Sequence, residues 1–130
     1  MRKLYSQLLD EGAVPRLIGE HLGGPVEITF ETAPAVLFDA VIIPDASLAQ
    51  NISVIEFVQL QYRHDKPIMA LGNGEGLLEE AGIPMTLPNG EPDPGIIVAA
   101  DTEATKALQR FVNALSTHRV YARESPPAAV

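Results

Sequence analysis

The chain has no cysteine among its 130 residues, so it carries no disulfide framework, no thiolate metal site and no thiol redox chemistry. It is poor in basic residues. Nine Lys and Arg stand against 17 Asp and Glu, for a formal net charge of −8 and a pI near 4.7, and the nine form no patch in sequence. Nucleic-acid affinity comes mainly from cations that neutralise phosphates, so no nucleic-acid partner is expected. Long hydrophobic runs are also missing. Runs such as Ala40 to Pro44 and Gly95 to Ala100 are far too short to span a bilayer, and no signal-peptide core precedes the first acidic residues. The expectation is a soluble, unexported, cytoplasmic protein with no membrane partner. A chain of this length makes one domain that buries about two thirds of its unfolded surface, enough for a real core.

A nucleophile is missing where one would matter most. The segment Lys66-Pro67-Ile68-Met69-Ala70-Leu71-Gly72-Asn73-Gly74-Glu75-Gly76 runs from an apolar strand through a glycine-rich corner into a helix. A Ser or Cys at such a corner points to hydrolysis or acyl transfer, because the sharp turn exposes the side chain and aims helix N–H groups at a developing oxyanion. Here the corner reads Gly72, Asn73, Gly74, and no Ser or Thr lies between Ser53 and Thr86. The corner has the form of a catalytic elbow without its reactive group.

What is present alternates between helical and strand patterns. Arg2 to Glu11 places Leu4, Leu8 and Leu9 at helical spacing, with Gly12 as a stop. Ala13 to Ile18 reads as a short strand, Gly23-Gly24-Pro25 as a turn, and Val26 to Glu31 as a half-buried strand. Val36 to Pro44 is more apolar, and Ala40-Val41-Ile42-Ile43 predicts a central parallel strand buried on both faces. Ala46 to His64 predicts a long helix with Ser47 as its cap and Ile52, Val54, Ile55, Val58, Leu60 and Tyr62 available to cover a sheet. Pro67 to Leu71 is the next strand, Glu75 to Ala81 a short helix leaving at Gly82-Ile83-Pro84, and Leu87 to Pro94 an exposed loop. Gly95 to Ala100 is a further buried strand. Asp101 or Thr102 then caps a last helix through Ser116, with Leu108, Phe111, Val112 and Leu115 facing inward. The domain is expected over residues 1–123, with Glu124 to Val130 a frayed tail that has nothing to bury.

This alternation implies right-handed crossovers and a mostly parallel sheet with helices on both faces, an α/β class of flavodoxin-like form. Such domains normally open with a buried strand, which is central in the order 2-1-3-4-5. The pattern here opens in a helix, which predicts an unfilled slot between the strands at Ala13 to Ile18 and Ala40 to Ile43. The sheet must close that gap, borrow a strand or dimerise there, and a homodimer through the sheet edge is the expected answer, because unpaired edges carry free N–H and C=O groups.

Four runs, in order, carry a specific likeness: Phe38-Asp39-Ala40-Val41-Ile42-Ile43-Pro44; Tyr62-Arg63-His64-Asp65-Lys66-Pro67-Ile68; Gly72-Asn73-Gly74-Glu75-Gly76-Leu77-Leu78-Glu79-Glu80-Ala81-Gly82-Ile83; and His118-Arg119-Val120-Tyr121-Ala122-Arg123. Together with Glu11 to Ile18 they resemble the C-terminal domain of large-subunit catalases, over nearly the whole chain. That resemblance implies the class I glutamine amidotransferase-like fold, shared with PfpI-like proteases. It withholds their reaction. The domain's first strand, where protease-like relatives carry a glutamate, has no counterpart; Gly72 matches the position of their cysteine; and Asp45-Ala46 stands where a Gly-Gly pair often supplies oxyanion donors. The haem chemistry of such catalases resides in a separate, larger core. None of Tyr5, Tyr62, Tyr121, His21, His64 and His118 sits in a segment resembling a haem-ligand or distal-histidine motif. No cofactor is implied, and no peroxide decomposition is expected of this chain alone.

Other polar residues admit a blander reading. Asp45, Glu75 and Asp101 each follow a predicted strand, on the rim where open α/β sheets bind ligands, and three carboxylates there could hold Mg²⁺ or Ca²⁺. Helix capping and the macrodipole explain them more simply. A phosphoacceptor role for Asp45 lacks the acidic pair and lysine of a receiver domain. Gly72 to Gly76 lacks the Lys-Ser/Thr of a phosphate loop, and Glu75 would repel an anion, so a tight structural turn is favoured. His118 and Arg119 suit a helix C-terminus.

Three functions of different classes follow. The favoured one is a non-catalytic accessory domain acting by contact with itself or with a catalase core. A small-molecule or metal site on the rim of Asp45, Gly72, Asn73, Gly74, Glu75 and Asp101 is the alternative, and a ligand-induced rise in melting temperature would reveal it. A hydrolase or amidotransferase is opposed by the absence of cysteine.

Overall fold

A computed structural model describes residues 2–10, 12, 18–19, 28–29, 38–43, 45 and 50–116. The expected turn at Gly23-Gly24-Pro25, the Ser47 cap, the His118-Arg119 helix end and the tail from Glu124 lie outside these residues, as does most of the span of the first two expected strands.

The first helix, α1 (Arg2–Asp10), ends where Gly12 takes φ +85° and its amide donates to the Leu9 carbonyl at 3.0 Å. A residue with a side chain pays strain at that φ, which is why the predicted glycine stop works. Two short strands follow, β1 (Ile18–Gly19) and β2 (Ile28–Thr29), paired in parallel with Ile18 opposite Ile28. They form a sheet of their own among the described residues. The main sheet contains β3 (Val41–Ile43), β4 (Ile68–Leu71) and β5 (Ile96–Ala99), all parallel, in the order β3-β4-β5.

Alternation along these strands builds two cores. Ile43, Ile68, Ala70 and Ile96 point to one face and pack with Val54 and Val58 of α2 (Ile52–Arg63) and Leu77 and Leu78 of α3 (Glu75–Glu80). Met69, Leu71 and Ile97 point to the other, against Leu8 of α1 and Ala107, Leu108 and Phe111 of α4 (Ala104–Leu115). The result is a three-layer α/β domain of flavodoxin-like form, with helices on both faces of a parallel sheet. Every residue of β4 is at most 3% exposed, so a continuous apolar run marks the middle strand.

Two helix ends close by the same device. After α2, the amides of Asp65 and Lys66 donate to the carbonyls of Tyr62 and Gln61, each at 3.0 Å, with Asp65 at φ +61°. After α3, the amides of Gly82 and Ile83 donate to Glu79 and Leu78 at 3.1 and 3.0 Å, with Gly82 at φ +69°. Both are Schellman stops, and the second adds the usual apolar contact, since Leu78 and Ile83 share a core.

Several expectations need correction. Among the described residues, the strand at Ala40 to Ile43 is an edge of its sheet rather than its centre. Only Ile43 is buried, while Ala40, Val41 and Ile42 are half-buried, because no described strand lies against the outer side of β3. The second helix begins at Ile52 rather than near Ala46, and its cap is Asn51, whose Oδ1 accepts from the Val54 amide at 3.1 Å. Ile52 is 72% exposed and Leu60 is exposed, whereas Phe57 and Gln61 are buried in their stead. Neither Asp101 nor Thr102 occupies the cap position of α4. Both lie in a 3-10 turn (Asp101–Glu103), and Glu103 occupies the cap position without a side-chain bond. The loop Leu87 to Pro94 is exposed for the most part, yet Leu87 and Asp93 are buried and anchor it.

Candidate functional site at the strand-to-helix corner

The corner after β4 has elbow geometry. Leu71 is extended at φ −112°, ψ 147°, and Glu75 is already helical at φ −55°, ψ −30°. Between them Gly72 takes φ +55°, in the left-handed region, and is exposed at the end of a buried strand. A side chain there costs about 1–2 kcal/mol of backbone strain, which active elbows accept in order to expose a nucleophile. Glycine removes both the strain and the nucleophile.

Gly74 is glycine for a different reason. Its φ −59° and ψ −21° suit any residue. However, a methyl group built on it would lie 2.8 Å from the Ile43 carbonyl oxygen and 3.2 Å from Ile43 Cγ2. The corner therefore packs directly on the end of β3, and close backbone approach dictates the residue.

The other rim residues take up positions set by the parallel sheet. Asp45 follows β3 and is exposed; Asn73 and Glu75 are exposed in the corner; the backbone of Asp101 opens the turn after β5. All lie beyond the C-terminal ends of three adjacent strands, so the topology places them on one rim. Asp45 and Asn73 each have a partner within the protein. Glu75 sits in the first turn of α3, where the macrodipole favours an anion. Among the described residues, no group of three or more His, Asp or Glu side chains is arranged to hold a metal ion. The crossovers from β3 to β4 and from β4 to β5 both run over the same face, that of α2 and α3. Ligand crevices in open α/β sheets form where the strand order reverses, and β3-β4-β5 contains no reversal.

The polar residues that sequence reasoning passed over lie at the opposite end. Gln61, Asp65, Lys66 and Asp93 are 0%, 5%, 1% and 3% exposed, and none is without a partner. Asp93 Oδ1 accepts from the Gly95 amide at 2.8 Å, which fixes the entry to β5. These four sit at the N-terminal ends of β4 and β5, away from the corner. The one available signal was Asp65-Lys66-Pro67, where proline forces an extended lysine directly into a buried strand.

A model of the family described as the C-terminal domain found in long catalases matches residues 1–125. Similar proteins include the catalase HPII of Mycobacterium avium, 29% identical over 93% of this chain and 20% of its own length, and that of Pseudomonas aeruginosa, 28% identical over 98% and 19%. The catalase HPII of Pseudomonas putida is 31% identical over 82% of this chain and 14% of its own length. The chain thus spans about one fifth or less of the length of these relatives. It belongs to the family of C-terminal domains of long catalases.

Proposed function

We propose that this member of the family is a non-catalytic accessory domain in the setting of hydrogen peroxide defence, acting by contact rather than by turnover. Gly72 carries the reading: the elbow position is held at positive φ by a residue with no reactive atom. The matching segment of the relatives is a small part of proteins named catalase, which suits a module that stabilises or assembles a catalytic core made elsewhere. The contact is made through the sheet edge at β3, where no described strand pairs and where Ala40, Val41 and Ile42 are half-buried apolar residues. Its occupant is a second copy, giving a homodimer, or a catalase core. The setting is cytoplasmic; no helix among the described residues is long and apolar enough to cross a membrane.

The test is molecular mass by light scattering over a dilution series, with peroxide decomposition assayed on the same fractions. A dimer that survives dilution and has no activity is the expected result. Peroxide turnover by the purified chain would sink the non-catalytic reading, and a monomer that stays monomeric with a catalase core added would sink the contact reading.

A further inference from the structure

The sheet has a second edge, at β5. The Ile68 amide donates to the Gly95 carbonyl at 2.7 Å and Ile68 lies opposite Ile96. Gly95, Ile97 and Ala99 therefore turn their peptide groups toward β4, and Val98 turns its N–H and C=O away, where no described strand lies. Along that edge runs an open groove of about 530 Å³, floored by Val98 to Ala100 and walled by the flank of α4. Ala107, 1% exposed, forms the wall, with Lys106 and Arg110 beside it and Glu103 at the mouth.

Charge and spacing together select an occupant. Lys106 approaches Glu103 at 3.7 Å, but their side chains are 85% and 54% exposed, so water weakens the pair. Two cations against one carboxylate leave this groove positive on a chain of net charge −8. Lys106 and Arg110 are four residues apart on a helix, about 6 Å along its axis. Side chains on one face of an added strand recur every second residue, at roughly 6.6 Å. The geometry points to this groove as a docking site for an extended acidic segment that adds a strand to β5, with acidic residues at alternate positions beside Lys106 and Arg110 and its backbone bonded to Val98. A second copy paired edge to edge here would bring the same cations together, so charge disfavours it. The inference goes beyond the accessory reading and does not depend on it, since its test involves neither peroxide nor a catalase core.

The test titrates the full ¹⁵N-labelled chain with a capped hexapeptide of threonine and valine carrying glutamate at its second and fourth positions. The comparison peptide has lysine at both. Saturable shifts of the Val98 and Ala100 amides are expected with the acidic peptide only, with at least a tenfold loss of affinity in the Lys106→Glu/Arg110→Glu double variant. Both positions are exposed, and the variant's own amide spectrum reports that it is folded. Absence of saturable shifts, shifts centred away from β5, equal binding of the lysine peptide or undiminished binding by the variant would each overturn the proposal. So would a self-associated β5 edge that the acidic peptide does not displace.

Discussion

Gly74→Ala measures how tightly the corner is built. At φ −59°, ψ −21° alanine has no backbone objection, and in open helix it would be the more stable residue by about 0.5–1 kcal/mol. Against that gain stands the contact at 2.8 Å with the Ile43 carbonyl oxygen. The obstacle is backbone in a sheet and cannot rotate aside, so either the corner or β3 must shift, at the usual overpacking cost of about 1–3 kcal/mol. The clash wins by about 1–2 kcal/mol. With roughly 2.1 cal/mol/K of unfolding entropy per residue, this lowers Tm by about 4–7 °C. The chain has no tryptophan, so the assay is thermal and urea unfolding followed by far-UV circular dichroism. Gly82→Ala serves as the control, because its added methyl meets nothing within 4 Å and its cost of about 1–2 kcal/mol arises from φ +69° alone. Asparagine tolerates the left-handed region, so Gly82→Asn should recover part of that loss, whereas Gly74→Asn should be no better than Gly74→Ala. A Gly74→Ala protein as stable as the parent would refute the close-approach argument.

Other substitutions probe separate links. Gly72→Cys restores a thiol to the elbow but lacks the partner acid and oxyanion donors; it should lose about 1–2 kcal/mol from strain at φ +55° and show no ester hydrolysis above buffer, and measurable turnover would count against the reading. Asn51→Ala removes the cap of α2 and should cost about 1 kcal/mol in urea unfolding; no loss would mean that the bond to Val54 is dispensable. Phe111→Ala opens a cavity under α4 and should cost about 3–5 kcal/mol, so a loss below 1 kcal/mol would show that the α4 layer is not held by this core.

The sequence by itself determined the element types around the main sheet, because periodicity is a local signal. Apolar runs marked β4 and β5, helical spacing marked α4, and glycine placed the stops at Gly12 and Gly82. It also determined that the elbow has no nucleophile, which is a matter of composition. Which strand is central was not legible, since Ala40 to Ile43 and Ile68 to Leu71 are equally apolar and only the pairing order makes one an edge. The start of α2 was not legible because Ser47 and Asn51 are both residue types that cap helices, and the cap of the helix that begins at Ile52 is Asn51, bonded to the Val54 amide. The need for glycine at position 74 was equally invisible: its dihedrals are ordinary, and the reason is a carbonyl 31 residues earlier in the chain. The burial of Gln61, Asp65, Lys66 and Asp93 was no more legible, for the sequence marks them as polar and only the packing of the elements around them removes them from water.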